Sequence, residues 1–315
     1  MVDLLLERGY RVRVVDDLSC GHEENLAHHD SNPDLTRRWT DIRGLTPGEA
    51  LFEDCRYVFH FAGIGDIVPS IARPMDYMDI NIQGTVRLLE CARVANVRKL
   101  LYAASSSCYG LAGVPTREDH PIAPQYPYAL SKYQGEQAVF HWHKVYNLPV
   151  NSVCIFNAYG TRVRTTGAYG AVFGVFFRQK LAGRPFTVVG DGTQSRDFIY
   201  VTDVARAFLA AAETDKTGER FNVGAGNPKS INQLVDLLGG DVVYIPKRPG
   251  EPHCTWADIT KITTLLDWRP EVPFEQGVAT MMQQIHLWND APLWDPESIA
   301  GATKTWFEYL GEKPV

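Results

Sequence analysis

Two neighbouring runs, Lys99-Leu-Leu-Tyr-Ala-Ala-Ser-Ser-Ser-Cys-Tyr-Gly110 and Tyr126-Pro-Tyr-Ala-Leu-Ser-Lys-Tyr-Gln-Gly-Glu136, decide how this 315-residue chain is read. Residues Lys99 to Ala103 have the look of a short buried strand, followed by a hydroxyl-rich turn. In a parallel sheet the carboxyl end of a strand is where ligands bind. Tyr128 and Lys132 then fall four residues apart where a helix should begin, so their side chains share one face a turn apart. An ammonium beside a phenol favours the phenolate, which would let Tyr128 act as a base near neutral pH. Ser105 is placed to hydrogen-bond a substrate hydroxyl beside it. Taken singly, these are common features: a solvated helix pair and a serine-capped turn would look the same.

Outward from these runs, the first two-thirds of the chain alternates β-rich segments with helical patterns, which predicts a doubly wound parallel α/β sheet. Strands are expected at Arg11–Val15, Tyr57–Phe61, Lys99–Ala103 and Val150–Phe156, and helices at Met75–Ala95 and Ala129–Tyr146. Beyond Asn157 the rhythm changes: a glycine-rich stretch from Gly167 to Gly174, a strand near Phe186–Val189, then the polar turn Gly190 to Arg196. The expected division is a dinucleotide-binding part over 1–157, rejoined by 197–220, and a smaller α/β substrate region over 158–196 and 221–315.

A net charge of -6 argues against nucleic acid as a partner, since phosphate backbones are bound by clustered Lys and Arg. No apolar run approaches the roughly 20 residues of a membrane span. There is no signal-peptide pattern, and the six cysteines (20, 55, 91, 108, 154 and 254) lack any CxxC spacing. A cytoplasmic protein with reduced thiols and no membrane partner is expected. No metal is expected either, because His141 and His143 have no acidic or cysteine companion at ligand spacing.

With these residues in hand, the chain resembles the extended short-chain dehydrogenase/reductase superfamily, and within it the nucleotide-sugar 4-epimerases. The likeness runs from residue 1 to about 290 through ordered short matches. They are Val14-Val-Asp-Asp-Leu18, Thr40-Asp-Ile42, His60-Phe-Ala-Gly63, Asn81-Ile-Gln-Gly-Thr85, Ser105 to Gly110, Tyr128-x-x-x-Lys132, Phe156-Asn157, Arg196-Asp197, Asn222 to Gly226 and Arg248-Pro-Gly250. The resemblance implies NAD as cofactor, held by Asp16, Asp17, Asp41, Ile42, Phe61, Ala62, Gly63 and Asn81 together with Tyr128 and Lys132. A carboxylate at Asp16 would hold ribose hydroxyls and repel a 2′-phosphate. It also implies a nucleotide-sugar site at Ser106, Ser107, Asn157, Val172, Thr187, Val189, Arg196, Arg248 and Thr255. Asn157 and the forked guanidinium groups would hold the diphosphate.

The reaction implied is 4-epimerisation of a UDP-hexose or UDP-N-acetylhexosamine through a 4-keto intermediate, with Tyr128, Lys132 and Ser105 catalytic. Related 4,6-dehydratases place Asp and Glu where this chain has Ser106 and Ser107, and serines cannot do that acid–base work. A 4,6-dehydratase, a 4-keto-sugar reductase and a non-catalytic nucleotide-sugar-binding module remain the alternatives. A homodimer through the helices at Met75–Ala95 and Ala129–Tyr146 is implied too. One departure is large: the family opens with a strand and a Gly-x-x-Gly-x-x-Gly turn, whereas Met1 to Gly9 reads as the end of the helix that follows them. The Gly167-Ala-Tyr-Gly170 run cannot replace that turn. The expectation is a truncated record of an active enzyme, with a sheet lacking its first strand and a weakened NAD site.

Overall fold

The protein is described by a computed structural model over residues 1–165 and 170–311. The start of the glycine-rich run, Gly167 included, lies outside the described residues. In chain order the first part comprises α1 (Val2–Glu7), β1 (Val12–Asp16), β2 (Leu35–Trp39), β3 (Tyr57–His60), α2 (Ile67–Ala72), α3 (Pro74–Met78), α4 (Gly84–Val94) and β4 (Lys99–Ser105). Next come α5 (Pro127–Tyr146), β5 (Val150–Ile155), β6 (Asn157–Tyr159), α6 (Val172–Leu181), β7 (Phe186–Val189), β8 (Ser195–Arg196), β9 (Phe198–Tyr200) and α7 (Val201–Glu213). The chain then runs through β10 (Glu219–Val223), β11 (Lys229–Ser230), α8 (Ile231–Leu238), β12 (Val242–Ile245), α9 (Thr260–Leu266), α10 (Phe274–Gln283), α11 (Pro296–Ala302) and α12 (Lys304–Leu310).

β4 is buried along its whole length because alternate residues feed two layers. Leu100, Tyr102 and Ala104 pack with Leu88, Leu89 and Val139 of α4 and α5. Leu101 and Ala103 pack with Phe208 of α7 and Phe221 of β10 on the other face. The sheet order is β10-β5-β4-β3, all parallel, so the doubly wound arrangement is present. β10 reaches Val223, so the part of the chain that returns to this sheet extends past the expected limit at residue 220. Residues beyond Asn157 build a second core of Phe176, Phe177, Phe186, Val188, Leu234, Met281 and Trp288, around the parallel pair β7–β12.

The sheet is divided. β1 pairs with β2 and not with β3. Between the two blocks runs a cavity of about 790 Å³, lined by Val12 and Val14 on one side and Tyr57 and Phe59 on the other. The outer edges of β1 and β3, unpaired with one another, face this cavity from its two sides.

α5 carries the Tyr128–Lys132 pair, and its start is well specified. Tyr126 is extended, Pro127 occupies the first turn where a missing N–H costs nothing, and Asn147 ends the helix in the left-handed region at φ 55°. Gly135 lets the helix lie close to the sheet: a Cβ there would come within 2.5 Å of the Tyr102 hydroxyl. The helix expected at Met75–Ala95 is present as α3 and α4 joined by a π-helical turn at Asp79–Gln83.

Candidate active site

Ser105, at the end of β4, caps the following turn by accepting the Ser107 N–H at 3.2 Å. Tyr128 lies half-buried beside it, near enough for the Ser105 hydroxyl to act on its phenol. Its ring lies nearly parallel to Tyr126 at 6.4 Å and edge-on to Tyr77 at 6.3 Å. Lys132, one turn along and buried, has its Nζ 4.4 Å from the centre of the Tyr102 ring. Ser105 from the strand and the Tyr128–Lys132 pair from the helix thus come to one strand end.

The electrostatics differ from the expectation. Burial pushes the Tyr128 phenol well above its ordinary value, and the Ser105 hydroxyl offsets only part of that. Burial also pushes the Lys132 ammonium down to about 8. In the free protein, therefore, Lys132 does not bring Tyr128 into the neutral range; a further positive charge is needed.

His60 belongs to the same buried layer. Its Nε2 lies 2.8 Å from Thr85 Oγ1, and that hydroxyl donates to the Asn81 carbonyl at 2.6 Å, so Nε2 carries the proton. Burial, then the Lys132 charge, lowers the imidazole from 6.5 to about 3. The unfolded chain takes up this proton below pH 6.5 whereas the folded chain does not until about pH 3, so stability is lost as pH falls through that window. Between pH 6.5 and 4.5 the loss is expected to be about 2 kcal/mol larger in the wild type than in His60→Gln. Urea unfolding of both proteins at the two pH values measures it; equal slopes would remove His60 as the cause.

Seven of the residues expected to hold a dinucleotide gather at the carboxyl ends of β1, β2 and β3. Asp16, Asp17, Asp41, Ile42, Phe61, Ala62 and Gly63 all line the large cavity. The Asp16 carboxylate accepts the Leu18 N–H at 2.8 Å, and Asp17 accepts that of Ser19 at 2.9 Å. Asp41 is engaged by Arg43 and held below the usual carboxylate range by it. Ile42 is a core residue, while Phe61 is 43% exposed with its ring over Phe208 at 4.5 Å. Asn81 is buried and braces the strand-end loop: it accepts the Ile64 N–H at 2.9 Å and donates to the Ile64 carbonyl at 3.0 Å and to Ser131 Oγ at 2.9 Å. It acts on the cavity through Gly63, whose φ of +153° and 2.7 Å approach to Asn81 Oδ1 leave no place for a Cβ. Acidic acceptors, a half-exposed aromatic ring and close backbone in one cavity suit the ribose, base and nicotinamide parts of a dinucleotide. Among the described residues no glycine turn faces the cavity to take its pyrophosphate.

A second cluster lies in the second half of the chain. Arg196 and Arg248 converge on Glu251, at 2.8 Å from each guanidinium. Burial would raise the Glu251 carboxyl, but Arg248 and Arg196 hold it below its ordinary value. Val189 lines a cavity of about 190 Å³ beside Arg196 and Glu251. Asn157 Oδ1 accepts from Thr255 Oγ1 at 2.7 Å, and Thr255 Oγ1 accepts from the Asp197 N–H at 3.2 Å. Val172 opens α6 and packs on the second core. Thr187 is buried there too, its hydroxyl accepting from Gln179 Nε2 at 2.9 Å, and it does not line this cavity. Ser106 and Ser107 are half-buried on the turn after β4.

Sequence reasoning missed Glu251, Tyr126 and Arg164. Glu251 directly follows Gly250 of the quoted motif, but a carboxylate between two arginines is visible only once β8 and the 248–251 loop are adjacent. Arg164 holds Asp66 at 2.6 Å and reaches Cys20 Sγ at 2.9 Å, tying together the segments that follow β3 and β1, one from each sheet block. It also missed the one group of potential metal ligands among the described residues, Asp3, His28 and His29, whose ligand atoms lie within 4.8 Å of one another. There Arg162 pairs with Asp3 and stands in a cation's place.

The model of the NAD dependent epimerase/dehydratase family matches residues 1–224, and the chain belongs to that family. It is therefore an NAD-dependent enzyme of the epimerase/dehydratase class. A UDP-glucose 4-epimerase of Mycolicibacterium smegmatis is 34% identical over 293 residues, covering 90% of this chain and 93% of that protein. The UDP-N-acetylglucosamine 4-epimerase of Methanobrevibacter ruminantium, solved with UDP-N-acetylmuramic acid, superposes with a TM-score of 0.83 at 32% identity, over 90% of this chain and 94% of that one. The UDP-glucuronic acid 4-epimerase of Bacillus cereus, solved with UDP-glucuronic acid and NAD, gives 0.84 at 30% identity, over 91% and 94%. Decarboxylases and dehydratases of nucleotide sugars match as well, so family membership alone leaves the reaction open among these chemistries.

Proposed function

We propose that the chain is a nucleotide-sugar 4-epimerase. The observation that carries this reading is the meeting of Ser105, Tyr128 and Lys132 at one strand end, with serines and no carboxylate at 106 and 107. Tyr128 Oη takes the proton of the sugar 4-hydroxyl, and Ser105 Oγ hydrogen-bonds the same oxygen throughout. NAD, when bound, would supply a positive ring charge beside the phenol and reversible hydride chemistry at C4. Tyr128 then gives the proton back, so no net redox change remains. Lys132 and the first turn of α5 favour the phenolate. Arg196 and Arg248 would hold the diphosphate while the sugar turns, and Asp16, Asp41, Phe61 and Gly63 would hold the dinucleotide. In the same proposal the substrate part comprises 158–196 and the residues after β10.

Thr255 sets the size of the sugar pocket in this reading, and its short side chain leaves room for a 2-acetamido group. Thr255→Tyr is expected to lower kcat/KM for the N-acetylhexosamine substrate at least ~10-fold relative to the plain hexose. An unchanged ratio in competition assays would count against the assignment. A homodimer through α4 and α5 belongs to the same proposal, supported by the exposed Val94, Val145 and Tyr146 on or beside those helices; sedimentation velocity decides it.

The test incubates the purified protein with NAD and either UDP-glucose or UDP-N-acetylglucosamine. NMR then resolves the products. Appearance of the C4 epimer without net NADH formation supports the proposal. Accumulation of a 4-keto, 6-deoxy sugar would make it a dehydratase, net NADH turnover a reductase, and tight sugar-nucleotide binding without product a binding module.

A further inference from the structure

The C-terminal helices have no place in the chemistry above, yet they reach both halves of the site. α11 is fixed by a reciprocal cap in which Asp295 accepts the Ser298 N–H at 2.8 Å while Ser298 Oγ accepts the Asp295 N–H at 2.9 Å. Its Ile299 is buried in the second core. Thr303 Oγ1 donates to the Ile299 carbonyl at 2.7 Å and marks the joint to α12. α12 then leaves the second core and packs on α2, which follows the strand-end loop of the first part.

Trp306 of α12 is only 3% exposed and touches three things that matter. Its indole N–H donates to the Pro249 carbonyl at 2.8 Å. The Arg248 guanidinium lies 5.7 Å from its ring centre, within cation–π range. The Tyr126 ring lies 5.7 Å away on another side, and Tyr126 in turn stacks on Tyr128. One tryptophan therefore connects the arginine pair, through Tyr126, to the Tyr128 phenol.

We propose that Trp306 is a positioning residue that sets the 248–251 loop for a nucleoside diphosphate before the ligand arrives. This rests on the nucleotide-sugar reading above. Arg248 has a long flexible stem, and an arginine free to sample many rotamers loses more entropy on binding than one already held. Glu251 fixes one side of the guanidinium in its plane, and the Trp306 ring covers it from another direction. Pro249 is pinned through its carbonyl, so the loop cannot swing away carrying Arg248 with it. The indole edge towards Tyr126 places the ligand's diphosphate and the reacting sugar in a fixed relation.

The test compares Trp306→Phe with Trp306→Leu, each measured by calorimetry with UDP and with uridine. Phenylalanine keeps a π face for Arg248; leucine fills similar apolar volume without one. UDP is expected to bind Trp306→Leu roughly 10-fold more weakly than wild type, Trp306→Phe to lose clearly less because it forfeits the Pro249 hydrogen bond but keeps the π face, and uridine to be affected in neither. In turnover the loss should appear in KM, with kcat kept. Equal losses in both variants would reduce Trp306 to packing and overturn the proposal, as would wild-type affinity in Trp306→Leu. Failure of the wild type to bind UDP would overturn the nucleotide-sugar reading itself, and this inference with it.

Discussion

Tyr128→Phe is expected to lower epimerase turnover by roughly 10²–10⁴-fold while leaving nucleotide-sugar affinity unchanged. The substitution removes one oxygen from a ring whose position is set by Tyr126 and Tyr77, at 6.4 and 6.3 Å. Those contacts do not need the hydroxyl, so the ring should stay. What is lost is the group that takes the 4-hydroxyl proton, set beside Ser105. Ser105 remains tied to the Ser107 N–H and is not left unpaired. Because burial raises the free phenol, activity should rise with pH until the phenol ionises in the ternary complex, and that limb should vanish in the variant. Steady-state rates across pH, with affinity measured separately, test both statements. Turnover within a few-fold of wild type would sink the assignment.

The sheet was legible in the sequence where burial on two faces leaves a continuous apolar run, as in Lys99–Ser105. It was not legible at β2, Leu-Thr-Arg-Arg-Trp, where an edge strand is largely exposed and its polar residues conceal the extended backbone. The helix expected over Met75–Ala95 had the right extent but not the right winding. Asn81 has to reach Ile64 on one side and Ser131 on the other, and the π turn at Asp79–Gln83 lies where that reach is made. In the site, the four-residue spacing of Tyr128 and Lys132 conveyed their shared face. It could not convey the sign of the shift on Tyr128, because that depends on how deeply tertiary packing buries both groups. Glu251 shows the same limit: its meaning comes from Arg196, 55 positions earlier, lying 2.8 Å away.

The second large effect concerns how α5 is held. Glu136, on the same buried face as Lys132, forms a bidentate pair with Arg220 of β10, with Nε to Oε1 at 2.9 Å. Burial opposes the Arg220 charge, and Glu136 more than restores it. This pair joins the helix that carries the phenol and the ammonium to the far strand of the sheet. Arg220→Met is expected to cost about 3–5 kcal/mol in unfolding free energy, because it leaves the Glu136 carboxylate buried without its cation. The double variant Glu136→Leu/Arg220→Met should recover most of that loss, since a matched apolar pair removes both desolvation penalties. If stability is what the pair contributes, the double variant regains turnover as well. If the pair instead fixes the register of α5, unfolding recovers while kcat stays low, because Tyr128 and Lys132 are no longer set against Ser105. Urea unfolding and kcat measured on the single and double variants separate the two cases, and a single variant as stable as wild type would refute both.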